Sequence, residues 1–174
     1  GRIYCGVPSA AMGGAPDPAL PRSIDASVRC GQYETGDDVL ELIQTAGDLK
    51  EPILAKTIGY KASTSSSGQA RGIFVGGTIE QPIIATDSVY LASIIGSTFA
   101  PGADITIGCH LKGRIEALNS TSGVIRSVSV GRGAAAGSHH YAMNGWSESH
   151  GDPESVIRAT NIEAVDIAWM ERNS

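Results

Sequence analysis

The stretch Asp104-Ile105-Thr106-Ile107-Gly108-Cys109-His110-Leu111 decides how the chain reads. Ile105, Ile107, Cys109 and Leu111 alternate with Thr106, Gly108 and His110. That is the period of a strand with one buried face. Val128 and Val130 alternate with Ser127 and Ser129 in the same way, and Val165, Ile167 and Trp169 repeat the pattern near the C-terminus. Trp169 is accordingly expected in the core.

Moving outward, short apolar runs recur from residue 53 onward. They are Ile53–Tyr60, Ile73–Val75, Thr78–Ile84, Ser88–Ile95, Asp104–Leu111, Arg114–Leu118, Val124–Val130 and Ile162–Met170. Each is closed by a Gly, Ser, Asn or Pro cluster, among them Ser63–Gly68, Gly76-Gly77, Pro101-Gly102 and Ser120–Gly123. Residues 24–30 predict a further short strand. Residues 35–44 admit two readings. Thr35 or Asp37 suits a helix cap, but Val39, Leu40, Leu42 and Ile43 also fit a strand buried on both faces, and the β-like surroundings favour the strand. Many short strands at this spacing predict an all-β fold, a small β-barrel or β-sandwich.

Two segments do not fit the strand pattern. Residues 6–23 hold four Pro and three Gly, which forbid a continuous helix or a central strand. The expected organisation is an extended N-terminal arm over 1–23 and a single β-rich domain over 24–174. Within that domain, residues 131–153 show little periodicity, and a loop of that length is functional or pinned by contacts. Ser63–Gly68 reads as a hairpin loop or exposed tip.

Composition narrows the function. The 174 residues are 41% hydrophobic and 18% charged, with mean hydropathy −0.01. That is enough apolar surface for a folded domain. No apolar run approaches the roughly 20 residues a membrane helix needs. The formal charge of −5 argues against nucleic acid, since phosphate contacts need clustered Lys and Arg. No leader peptide is read at Gly1-Arg2-Ile3-Tyr4-Cys5, and Gly1 reads as following a removed initiator Met. Cys5, Cys30 and Cys109 make an odd count without a CxxC, so they read as free thiols. A single Cys5–Cys30 bridge is the alternative.

Candidate chemistry is sparse. The long loop holds His139, His140 and His150 with Glu148 and Asp152 nearby. Adjacent His139 and His140 do not easily point the same way, so a polar loop is favoured over a metal site. No Gly-x-Ser-x-Gly elbow, phosphate-binding glycine loop or facing acid pair is present. The expectation is no enzyme, no cofactor and no metal. Trp146, between Gly145 and Ser147, is placed to anchor a contact.

A resemblance adds to this reading. Ala100-Pro101-Gly102-Ala103-Asp104-Ile105-Thr106-Ile107 is a small-residue turn followed by an alternating strand. Gly113-Arg114-Ile115-Glu116-Ala117-Leu118 and Ser122-Gly123-Val124-Ile125-Arg126-Ser127-Val128 form a Gly-Arg strand, a turn and a Val-Arg strand. These stretches resemble the decoration, or cement, proteins of tailed-bacteriophage capsids. The chain departs from that family in continuing well beyond the second strand and in its longer N-terminal arm. The resemblance implies a β-tulip or barrel fold, a homotrimer on the capsid surface of the virion, synthesis in the host cytoplasm, and the major capsid protein as partner. It implies a non-enzymatic role, clamping neighbouring capsid subunits and stabilising the shell. Arg2, Ile3, Tyr4 and Val7 of the arm, with Tyr141 and Trp146 of the loop, are the expected interface. The alternative is a carbohydrate- or host-binding β module of a phage fibre or adhesin.

Overall fold

The computed structural model describes residues 2–5, 23–30, 39–59, 71–131 and 156–167. Their strands are β1 (Arg2–Cys5), β2 (Val28–Cys30), β3 (Val39–Leu40), β4 (Leu42–Thr45), β5 (Ile53–Gly59), β6 (Gly72–Val75), β7 (Thr78–Ile79), β8 (Ile83–Gly96), β9 (Thr98–Phe99), β10 (Ile105–Ile107), β11 (Leu111–Ala117), β12 (Val124–Val130), β13 (Val156–Arg158) and β14 (Asn161–Ile167). The all-β expectation holds at the level of class; Val39–Leu40 and Leu42–Thr45 are two strands joined at Glu41, not helix, and residues 35–38 lie outside the described residues.

Every ladder among these strands is parallel. Consecutive strands do not pair with each other. Each pairs instead with the strand one circuit earlier or later. Ile83 lies beside Ile105, and Ile105 beside Val128; Ile73 lies beside Ile94, and Ile94 beside Ile115. One circuit therefore takes 18 to 23 residues where it is uninterrupted, as between Leu40 and Ile58 or Ile105 and Val128. The chain is a parallel β-solenoid, each coil stacked on the last. A barrel or sandwich of short strands joins sequence neighbours within one sheet; here sequence neighbours occupy different walls. The expected small β-barrel or β-sandwich is corrected to this arrangement. β5 and β6 do not pair with each other; Ser63–Gly68, read as a hairpin loop or exposed tip, lies outside the described residues.

Four walls run along the stack. The first carries β1, β4, β6, the end of β8, β11 and β13. Its inward row is Ile3, Ile43, Ile73, Ile94, Ile115 and Ile157, in register from coil to coil. The second wall carries Ile24, Leu49, Ile79 and Phe99. The third carries β2, the start of β5, the start of β8, β10, β12 and β14, with Val28, Ile53, Ile83, Ile105, Val128 and Val165 in one row. The fourth carries Leu40, Ile58, Val89 and Leu111. β-branched side chains pack well on a pleated surface and in like-on-like rows. Ile43, Ile73, Ile94 and Ile115 are fully buried.

In three coils the corner from the fourth wall to the first uses positive φ. Gly59 and Gly113 adopt +111° and +154° there, and Leu91 adopts +48° in the coil between them. A Cβ on Gly113 would sit 1.9 Å from the Ala92 carbonyl oxygen, so only glycine turns there. Other corners are held by side chains. Asp48 Oδ1 accepts from the Thr78 amide at 2.7 Å, and Asn119 Oδ1 accepts from the amides of Thr121 and Ser122.

The two ends of the stack are less covered. Ile3, Cys5, Val28 and Cys30 pack only partly against the core. At the other end Ile162 and Val165 are 38% and 43% exposed. Their rows lack a next coil among the described residues.

Candidate functional site

The interrupted coils place the site. After β2, residues 31–38 separate the third wall from the fourth. After β5, residues 60–70 separate the fourth wall from the first. After β12, residues 132–155 take the chain from the third wall to the first. All three segments are rooted on the same arc of the solenoid, around the fourth wall. Residues 6–22 are rooted elsewhere, between the first wall and the second. In coil repeats, insertions that gather on one side mark the binding side.

Described side chains on this arc include a Cys–Asp–His neighbourhood. Asp87 and Cys109 lie at the corner between the third and fourth walls in adjacent coils, and the Cys109 amide donates to the Asp87 carbonyl oxygen at 2.7 Å. His110 follows. Burial, then the Asp87 carboxylate, pushes the Cys109 thiol up to about 11. A thiol so raised stays protonated at neutral pH, whereas a nucleophilic cysteine needs the thiolate. The group is not set up for cysteine catalysis. None of the three cysteines is in a disulfide, and the Cys5 thiol donates to the Ser23 carbonyl oxygen at 3.3 Å.

A second feature lies toward the C-terminal end. An open groove of roughly 370 Å³ runs between Glu116–Ser120 of one coil and Arg158–Thr160 of the next. Glu116 is buried beside Arg158 in register, with Arg114 Nη1 3.9 Å from its carboxylate. Leu118, 62% exposed, forms the apolar rim. Thr160 Oγ1 donates to the Asn119 carbonyl oxygen and ties the two lips together. The groove offers a carboxylate, a guanidinium and an apolar contact without an activated nucleophile. Its two lips are about forty positions apart in sequence, so only the coil register joins them. No sequence signal marked Glu116, Leu118 or Arg158 as site residues.

Of the expected interface, Arg2, Ile3 and Tyr4 form β1 and pair with β4. The start of the expected arm is therefore a strand of the solenoid. Val7, Tyr141 and Trp146 lie outside the described residues, as do His139, His140, His150, Glu148, Asp152 and Trp169. No cluster of metal-ligating side chains occurs among the described residues, and no helix there is long and apolar enough to cross a membrane. No protein-family model, curated protein or solved structure matches the chain.

Proposed function

We propose that the chain is a non-enzymatic structural protein of a phage particle, which binds the outer surface of the capsid through the fourth-wall side of its solenoid and clamps neighbouring major capsid subunits. The observation that carries this reading is the common root of residues 31–38, 60–70 and 132–155 on one arc. The last of these segments holds Tyr141 and Trp146, residue types that dominate contact energies at interfaces. A stiff stack of coils carries such segments at fixed spacing, and a homotrimer would multiply modest contacts through avidity. The resemblance of residues 100–107 and 113–128 to capsid decoration proteins names the shell as partner.

The groove supports a second reading, a carbohydrate- or host-binding module of a fibre or adhesin. Its mixture of Glu116, Arg158 and Leu118 suits polar ligands with an apolar face.

Co-sedimentation with purified capsid shells tests the first reading. The whole chain is expected to pellet with shells, and a chain lacking residues 134–152 is expected to stay in solution. Failure of the whole chain to pellet overturns the shell reading. Glycan binding that Glu116→Ala abolishes would establish the second.

A further inference from the structure

We infer that the groove between Glu116–Ser120 and Arg158–Thr160 takes an acidic sugar, whose hydroxyl groups donate to Glu116 and whose carboxylate is held by Arg158. The inference rests on the carbohydrate reading of the groove and narrows it, from polar ligands in general to sugars that carry a carboxylate.

Glu116 is the unsatisfied group of the groove. Ile115 and Ala117 on either side of it belong to the core, so Glu116 stands on the outward side of the first wall. The residue is nevertheless only 9% exposed. A carboxylate buried that far ordinarily accepts hydrogen bonds. Among the described residues none donates to it. The Arg114 guanidinium approaches to 3.9 Å, beyond hydrogen-bond reach. Glu116 lines the groove, so a ligand seated there can supply the missing donors and recover the cost of leaving the carboxylate bare.

The surrounding charge selects which donors. Arg114 precedes Glu116 by two positions on the same strand, and Arg158 lies directly across from it in the next coil. Two guanidiniums around one carboxylate disfavour an ammonium ligand and favour neutral hydroxyls. Arg158 lines the opposite lip, is exposed, and is in no ion pair among the described residues. Its planar fork matches a carboxylate bidentately. Leu118 at the rim offers apolar contact to the C–H face of a ring. A pyranose bearing a carboxylate presents all three complements: hydroxyls that donate, an anion for Arg158 and an apolar face. A bare anion such as phosphate would meet Glu116 as a like charge and leave its acceptors unfilled. At roughly 370 Å³ the groove falls at the lower end of small-ligand sites.

Isothermal titration calorimetry on the whole chain tests this. The probes are short oligosaccharides of glucuronate, galacturonate and mannuronate, with their methyl esters, which keep the hydroxyls and lose the charge. At least one acid is expected to bind about tenfold tighter than its ester. Arg158→Gln should bring that acid down to the affinity of its ester and leave the ester unchanged. Glu116→Gln, which replaces an acceptor oxygen by a donor, should weaken acid and ester alike by about tenfold. Arg29→Gln, at an exposed position on the third wall, should change neither. Thermal unfolding by circular dichroism shows that each variant is folded; exposed Arg158 keeps the test valid if Glu116→Gln does not fold. An ester that binds as tightly as its acid overturns the inference and leaves the carbohydrate reading standing. Absence of binding by every oligosaccharide overturns both. Equal losses from Arg29→Gln and Arg158→Gln overturn the inference as well, since diffuse attraction of an anion would then account for the binding.

Discussion

The middle of the solenoid and its interrupted coils are built on one plan but differ in what they add to it. From Gly72 to Val130 the chain makes successive coils of 20 to 23 residues with short corners. The coils on either side keep the same inward rows but carry the long segments 6–22, 31–38, 60–70 and 132–155. The rows need only one inward side chain per wall per coil. Anything inserted at a corner leaves the row intact as long as the chain returns to it. The middle therefore bears the fold, and the interruptions are free to vary in length and chemistry.

Breaking a corner in the middle should have the largest effect. Gly113 has φ of +154°, and its Cβ position collides with the Ala92 carbonyl. Gly113→Val should cost about 4 kcal/mol or more, because the corner must open and the ladder on either side with it. Urea unfolding would show the midpoint fall sharply. Leu91 stands at the equivalent corner one coil earlier; Leu91→Gly should be nearly neutral, since relief of the left-handed backbone offsets lost packing.

Two isoleucines on different walls sharpen the comparison. Ile94 is fully buried between coils, while Ile162 at the end is 38% exposed. Ile94→Ala should cost about 3–4 kcal/mol through lost burial and the cavity left behind. Ile162→Ala should cost under about 1 kcal/mol, since water already reaches it. Equal losses in calorimetry would mean that the end is as well covered as the middle.

How much of this was legible follows from the same contrast. Several strands were readable from alternation, but Asp104–Leu111, which reads as one strand, is β10 (Ile105–Ile107), a corner at 108–110 and the start of β11, and Thr78–Ile84 is likewise split between β7 and β8. Val124–Val130 is a strand over the span read as an apolar run, and Ile53–Tyr60 differs from β5 by one residue. Their partners were not readable from alternation. A period-2 pattern says that one face is buried and is silent on whether the neighbour is the next strand or one a coil away. The signal that carries the answer is the longer repeat of Ile73, Ile94 and Ile115 at intervals of 21. The insertions hide it, because the row steps 30 positions from Ile43 to Ile73 and 42 from Ile115 to Ile157. The groove was hidden for the same reason, since Glu116 and Arg158 meet across the longest of these steps.

Removing an interruption should have a small effect on stability. Seven positions separate Ile107 from Arg114 in the uninterrupted coil, and their register partners are Val130 and Val156. Deleting residues 134–152 leaves that same span between Val130 and Val156. The shortened chain should unfold within a few degrees of the parent, with some of the lost loop returned as reduced closure entropy. A large fall in melting temperature would show that residues 134–152 belong to the fold after all.

The smallest expected effect is on the pH dependence at the fourth-wall corner. Burial, then the Asp87 carboxylate, raises Cys109 from about 9.0 to about 11. The folded state thus holds a proton that the unfolded chain releases earlier. Protonation of this thiol stabilises the fold fully below pH 9, and that contribution is lost as pH rises through 9 toward 11. The thiol is partly open to solvent, which keeps the effect modest. Cys109→Ser should therefore flatten the decline of stability on the alkaline side while leaving neutral stability little changed. Thiol labelling at pH 8 offers an independent check. Cys109 should react more slowly in the folded protein than in the urea-unfolded chain, because little of it is thiolate at that pH when folded. Rapid labelling of Cys109 in the folded protein, identified by peptide mapping, would mean that the Asp87 corner is open and that the interrupted side of the solenoid begins one coil closer to its middle.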